Sequence, residues 1–338
     1  MLGKLTGYFA RLVLLALILN ATGRESGNAQ TIAPAKRLGI LMGGAPCPSP
    51  SGPAFWKPLL QGLAARGWVE GRTLTIDCVS AGGRLEQAPM LARELVTRRP
   101  DVLLGAATLT VRALTQATTE IPIVTMASDP VRAGIVSNLA HPETNVTGLA
   151  PMTYDLTAKR IQLLKEVLPS LTRLAIFYAV RLAPDTVDNE QMTNDVIKAT
   201  KALGISWKAF YPTSETFEQT FGQIDADRFD AVLVWSTAVA FPHREEIARL
   251  ALQHRLPTIS DAGEYASQGL LLTYGTDIAG LFADSVEYID KLLQGSRPAD
   301  LPLQQPTKFS LVINLKTAKA LGIGIPSSVL IRSDEIIE

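Results

Sequence analysis

The chain has 338 residues, more than one hydrophobic core usually spans, so two units of ordinary domain size are expected. Hydrophobic residues make up 47% and charged residues 19%, which excludes a disordered or fibrous chain. Lys plus Arg number 32 and Asp plus Glu 32; with no net positive field and no polybasic run, nucleic acid and an anionic membrane surface are excluded as partners.

Taken from the start, Lys4 and Arg11 precede an unbroken apolar run from Leu12 to Leu19, followed by a polar, small-residue segment ending near Gly27-Asn28-Ala29-Gln30. That layout predicts a secretory signal peptide over 1–29, cut after Ala29. The run is about half the ~20 residues a membrane-spanning helix needs, and no cysteine near the cut offers a lipid attachment atom. The mature chain is therefore expected to be periplasmic, not membrane-embedded, and monomeric.

Beyond residue 36, β-branched and aliphatic runs alternate with stretches of helical spacing. This predicts an α/β protein of stacked βαβ units with doubly wound parallel sheets. The order occurs twice. Arg37-Leu38-Gly39-Ile40-Leu41 and Arg173-Leu174-Ala175-Ile176-Phe177 each open a series as a first strand. Helices follow, stopping at Gly67 and Gly204, where a left-handed cap suits glycine. Pro100-Asp101-Val102-Leu103-Leu104 matches Phe229-Asp230-Ala231-Val232-Leu233 as third strands. Ile121-Pro122-Ile123-Val124 matches Leu256-Pro257-Thr258-Ile259 as fourth strands, with a proline tolerated before the ladder begins. A duplicated lobe is the expectation: lobe 1 over 36–149 plus about 276–300, lobe 2 over 150–275, and a C-terminal segment 301–338 near the hinge whose lobe the pattern does not assign. Crossing segments after Asn145-Val146-Thr147-Gly148 and Leu272-Thr273-Tyr274-Gly275 place the hinge at Gly148, Tyr274 and Gly275, where a few residues can absorb a rotation.

In an open parallel sheet a ligand lies beyond the carboxyl ends of the strands. The candidate ligand-binding residues are thus Met42, Gly43, Gly44, Ala107, Thr108, Ser128 and Asp129 in the first half, and Tyr178, Trp235, Ser236 and Asp261 in the second. Gly43 and Gly44 would admit a ligand close to the backbone or form an ordinary turn. Thr108 would cap a helix or help its N–H groups hold an anion. Asp129 and Asp261 would cap helices or accept from a ligand ammonium or hydroxyl. Tyr178 and Trp235 would wall a ring, with core burial the rival for Trp235. Arg132 and Arg181 are further carboxylate candidates against a solvated surface role. Cys47 and Cys78, just past the first strand and at the end of the second, either form a disulfide or remain two thiols; their spacing matches no metal pattern.

Enzyme signatures are missing: no Walker-type loop, no G-x-S-x-G, no H-E-x-x-H, no Cys-x-x-Cys. His141, His243 and His254 fall in segments read as loop or helix surface, none beside a nucleophile. No catalytic residue, metal or cofactor is expected.

Several segments carry a family resemblance: LAARGWVEG (Leu63 to Gly71), IPIVTMASDPVRAG (Ile121 to Gly134), NVTG (Asn145 to Gly148), KRIQLLK (Lys159 to Lys165) and, most specific, PTKFSLVINLKTAKALG (Pro306 to Gly322). Across nearly the whole chain after the signal, it resembles the tryptophan/tyrosine-type family of ABC-transporter substrate-binding proteins. The resemblance implies a type I periplasmic-binding-protein fold, a small-molecule ligand held between two lobes, and docking of the closed form on an ABC permease with a cytoplasmic ATPase. Some members are taken to bind aromatic amino acids, and by that analogy Thr108 and Asp129 match positions near the ligand. Two other functions fit the same frame. One is a sensor presenting ligand to a membrane receptor; the other is a secreted α/β enzyme, against which the missing nucleophile–base pair stands.

Overall fold

In the computed structural model the described residues are 34–50, 52–151, 153–179 and 187–338; the expected signal segment 1–29 and Arg181 lie outside them. The first alternating series forms β1 (Lys36–Met42), α1 (Trp56–Ala65), β2 (Leu74–Ser80), α2 (Ala88–Thr97), β3 (Val102–Gly105), α3 (Thr108–Ala117), β4 (Ile123–Thr125) and β5 (Val146–Gly148). These strands make an all-parallel sheet in the order β2-β1-β3-β4-β5. The second series forms α4 (Thr157–Val167), β6 (Arg173–Phe177), α5 (Val187–Leu203), β7 (Ser206–Phe210), α6 (Phe217–Ala226), β8 (Ala231–Val234), α7 (Arg244–Gln253), β9 (Thr258–Ser260), α8 (Glu264–Ser267) and β10 (Leu272–Thr276). Its strands pair as β7-β6-β8-β9-β10, the order of the first sheet repeated.

The local signals that mark the repeat are the ones that build it. At the end of α1, Gly67 adopts φ 90° and Trp68 donates back to the Leu63 carbonyl at 3.0 Å; at the end of α5, Gly204 adopts φ 66° and Ile205 donates to the Thr200 carbonyl at 2.9 Å. Only glycine takes that left-handed turn without a Cβ penalty. Ahead of the third strands, Asp101 accepts from the Arg37 N–H at 2.7 Å, and Asp230 accepts from the N–H groups of Thr172 and Arg173 at 2.7 and 2.8 Å. Partial burial pushes the Asp230 carboxyl up, but these bonds and one from the Thr172 hydroxyl outweigh it and hold it below the usual carboxylate range. The fourth-strand prolines keep their acceptors in use: Pro122 receives the Leu103 N–H at 2.8 Å and Pro257 the Val232 N–H at 2.9 Å.

The remaining chain serves both sheets. Helix α9 (Ile278–Leu293) packs on α1, where a Cβ on Gly62 would lie 2.8 Å from Val286. Residues 301–304 then run beside β5: Thr147 donates to the Leu301 carbonyl at 2.6 Å, and Gln304 donates to the Gly148 carbonyl at 2.9 Å. The chain returns as β11 (Phe309–Asn314), antiparallel to β10, then α10 (Leu315–Leu321), α11 (Ser327–Leu330) and β12 (Glu335–Ile337), parallel to β11. The second sheet therefore has seven strands, β12-β11-β10-β9-β8-β6-β7. Three segments cross between the sheets, at 149–156, at 277 and at 305–308. Gly148, Tyr274 and Gly275 are strand residues just ahead of two of these crossings. Gly275 has no room for a side chain, since a Cβ would sit 1.8 Å from the Asp261 carbonyl oxygen. Of the two readings open for the cysteines, the structure has the disulfide, Cys47–Cys78, with Cα atoms 5.8 Å apart.

Candidate functional site

The carboxyl ends of both sheets face one cavity of about 230 Å³. From the first sheet it is walled by Ala106, Ala107, Thr108, Met126 and Ser128, from the second by Tyr178, Trp235, Ser236, Thr237 and Asp261, and from the crossings by Thr153, Tyr154, Thr276 and Ile278. An apolar annex of about 140 Å³ adjoins it, lined by Met42, Gly43, Gly44, Phe55, Phe241 and Phe282. Parallel strands in register deliver their terminal residues to one edge, which is why residues remote in sequence converge here.

On the first side, α3 opens on the cavity. Its N-cap, Ala107, is extended and supplies no capping side chain, so the first-turn N–H groups and the positive end of the helix dipole are left for whatever occupies the space. Thr108 is the first helical residue and is buried. Ser128 reaches across to Thr153, hydroxyl to hydroxyl at 3.3 Å.

On the second side, Asp261 accepts from the Ser236 N–H at 2.7 Å. Trp235 is buried, with Tyr154 and Tyr178 rings at 5.4 and 6.3 Å. Its indole N–H and the Thr276 hydroxyl are buried without a hydrogen-bond partner among the described residues. Beneath this wall lies Arg160, fully buried, donating to the carbonyls of Tyr274 at 2.6 Å and Thr153 at 2.7 Å. Burial draws the Arg160 guanidinium down to about 10 against the opposing pull of Asp261. Burial and the Asp261 charge push the Tyr265 phenol well up.

Of the residues singled out from sequence, Ala107, Thr108, Ser128, Tyr178, Trp235, Ser236 and Asp261 line the main cavity, and Met42, Gly43 and Gly44 line the annex. The close approach made by Gly44 is to protein: a Cβ there would lie 2.0 Å from the Ala238 carbonyl oxygen of the opposite rim. Asp129 is placed differently. Its carboxylate accepts from the Arg132 N–H at 3.0 Å and faces the Arg132 guanidinium at 3.5 Å, and it borders a separate small cavity with Pro130 and Asp155. One residue past Ser128, its side chain turns back to close its own turn. Sequence reading passed over Arg160, Tyr154, Thr276 and Phe282. For Arg160 a signal existed: it shares the i, i+3, i+4, i+7 stripe Thr157, Arg160, Ile161, Leu164 that α4 buries.

Among the described residues no group of His, Cys, Asp and Glu could hold a metal ion, and no helix is long and apolar enough to cross a membrane. Two predominantly parallel sheets repeating one strand order, with a ligand-sized cavity between their strand tips, define a periplasmic-binding-protein-like fold. The chain belongs to the ABC transporter substrate binding protein family, whose profile matches residues 48–337. It is 24% identical over 288 residues to the tyrosine-binding protein of Clostridioides difficile, covering 82% of this chain and 80% of that one. A conserved domain protein of Vibrio cholerae is similar in structure at a TM-score of 0.80 and 29% identity, over 89% of this chain and 99% of that one. A streptococcal ABC domain solved in complex with L-Trp follows at 0.78 and 23%, over 90% and 100%. The ligand-free, open structure of a substrate-binding protein from Clostridium difficile stands at 0.62 and 21%, over 90% and 99%.

Proposed function

We propose that this protein is an exported receptor that captures an aromatic amino acid, or a close analogue, by closing two lobes on it, and hands it to an ABC importer. Lobe 1 would be 36–149 with about 276–300, lobe 2 150–275 with β11 and β12, rotating about the three crossings. The observation that carries the reading is the placement of opposite electrostatics across one cavity: the uncapped N-terminus of α3 on one side and the Asp261 carboxylate on the other. The first suits a carboxylate, the second an ammonium, and the Trp235–Tyr154–Tyr178 wall or the phenylalanine-lined annex suits a ring. A buried ring at ~150–250 Å² and ~25 cal/mol per Å² contributes roughly 4–6 kcal/mol. Two charge-assisted hydrogen bonds add about 1.5–3 kcal/mol each. Gross, these terms amount to about 7–12 kcal/mol against the ~8 kcal/mol net of a micromolar complex, so capture at that affinity needs the upper end of the range and lobes preorganised to keep the ordering cost low. Contacts from both lobes exist together only in the closed form, so ligand shifts the population toward it; no covalent step is involved. The tyrosine-binding relative and the streptococcal domain in complex with L-Trp support the same ligand class.

The test is mass spectrometry of small molecules released on denaturing the purified protein, followed by calorimetric titration with L-tryptophan, L-tyrosine and L-phenylalanine. An aromatic amino acid released and rebound at micromolar affinity is the expected result. Release of a sugar, or no heat with any of the three, removes the proposal.

A further inference from the structure

Arg160 stands out among the polar groups around the cavity, because nothing in its surroundings neutralises it at contact distance. Two of its nitrogens are engaged by carbonyls, those of Tyr274 and Thr153, which belong to two different approaches to the crossings between the sheets. Its third nitrogen, Nη2, is buried with no partner, and among the described residues no carboxylate forms an ion pair with it. The guanidinium carbon lies 5.2 Å from the centre of the Trp235 ring, whose other neighbours line the cavity. A buried cation lacking a contact partner is costly, and an apolar side chain of similar volume at such a site is commonly neutral or stabilising. Holding the crossings together is therefore insufficient reason for an arginine at this position.

Its charge is the remaining reason. Asp261, in the cavity wall, is near enough for its charge to act on Arg160, so each offsets the other's field at the cavity. We propose that Arg160 is a specificity-determining residue: acting through the Trp235 wall, it makes the cavity select a zwitterion over the corresponding amine. This rests on the amino-acid reading above. With the Asp261 carboxylate unopposed by Arg160, an aromatic amine, a simple cation, would bind best. With Arg160 behind the wall, a ligand carboxylate is attracted and an uncompensated ligand cation is repelled. One unit charge acting over several ångströms at an effective dielectric constant of ~20 is worth roughly a 10- to 100-fold preference.

The experiment is a calorimetric comparison of L-tryptophan, L-tyrosine, tryptamine, tyramine and L-tryptophanamide on the full chain, in wild type and in Arg160→Met and Arg160→Lys. Wild type is expected to prefer each amino acid over its amine by at least about tenfold and to bind the amide as weakly as the amine. In Arg160→Met the ratio falls by a similar factor, while Arg160→Lys, which keeps the charge and loses the two-carbonyl grip, retains it. An unchanged ratio in Arg160→Met, or equal losses for amino acid and amine, overturns the proposal by showing a merely structural arginine. Should neither variant fold, wild type decides alone: tryptophanamide or tryptamine binding as tightly as tryptophan overturns it. If wild type binds neither amino acid, the amino-acid reading itself fails and takes this inference with it; binding with the wrong ratio sinks the inference only.

Discussion

Replacing Gly44 by alanine tests whether the two rims meet as part of ligand capture. Gly44 does not need a left-handed backbone, since its φ lies outside the positive range that marks ten other glycines among the described residues. What it needs is space. A Cβ would lie 2.0 Å from the Ala238 carbonyl oxygen, 2.8 Å from its carbon and 2.9 Å from its Cα, all backbone atoms that cannot swing aside. Carbon–oxygen contacts settle near ~3.3 Å, so the rim must withdraw by well over an ångström. Gly44 cannot yield easily either, because its loop is fastened to β2 by the Cys47–Cys78 disulfide and by the Ser80 hydroxyl on the Ala45 carbonyl at 2.9 Å. Overpacking of this kind costs about 1–3 kcal/mol. Charged to the closed form alone, that is a roughly 5- to 150-fold loss of affinity. Calorimetry with L-tryptophan or L-tyrosine reads the affinity, and small-angle scattering with saturating ligand reads closure. If ligand drives the rims together, the melting temperature of the ligand-free protein should not move. Wild-type affinity in Gly44→Ala, with normal closure, would refute the reasoning.

Two further outcomes follow from bonds already described. Reducing the Cys47–Cys78 disulfide frees a loop spanning a sequence separation of 31 residues, which by loop-closure entropy should lower stability by about 3–4 kcal/mol; a urea midpoint unmoved by reductant would contradict this. Asp230→Ala removes the acceptor for the Thr172 and Arg173 N–H groups and should cost about 1 kcal/mol, the low end for lost acceptors because water reaches this edge. Its sign with pH is fixed. The folded Asp230 carboxyl is held below its unfolded value, so its contribution is present above pH ~4 and is lost as pH falls through the depressed folded value. The stability gap between wild type and variant, measured in urea, should therefore close on going from pH 7 to below pH 3; a gap constant over that range would count against the hydrogen-bond account.

The repeated sheets were legible in the sequence because their signals are local. Glycine caps, prolines at strand starts and an aspartate ahead of the third strand each act through neighbours a few residues away or on the adjacent strand. Strand-end residues such as Trp235, Ser236 and Thr108 could be placed at the cavity for the same reason: parallel register carries them there. Side-chain direction after the strand is a different matter. Asp129 follows Ser128 directly, yet one borders the main cavity and the other closes a turn, a choice made by the Arg132 N–H. Long-range partners were equally hidden. Phe282 and Ile278 reach the site from α9, which packs on α1 from more than two hundred residues away. The last strands, β11 and β12, follow no repeat unit, so no pattern assigned them to the second sheet. Arg160 gave no warning of its burial, because a charge on a helix is usually solvated.

The duplication also shows how one frame yields an asymmetric site. Asp101 N–H donates to the Arg37 carbonyl and Asp230 N–H to the Arg173 carbonyl, so the two halves can be matched residue for residue along their strands. Counting forward, Met42 corresponds to Tyr178, Ala106 to Trp235 and, from the prolines, Met126 to Asp261. All six border the main cavity or its annex. The first half places apolar side chains, two methionines and an alanine, where the second places two rings and a carboxylate, so one half supplies an apolar wall and a helix end while the other supplies the aromatic and charged contacts. Asp261→Asn, which keeps the side-chain volume and an acceptor for the Ser236 N–H, should thus remove the charged partner of the ammonium. Truncating one member of a buried charge-assisted pair costs about 2–5 kcal/mol, a loss of at least about 30-fold for L-tryptophan. Indole-3-propionate, which lacks the ammonium, should lose nothing and bind the variant at least as well as wild type, whose carboxylate it leaves unpaired. Equal losses for both ligands would mean that Asp261 merely holds the Ser236 N–H in place, and the division of labour between the halves would be wrong.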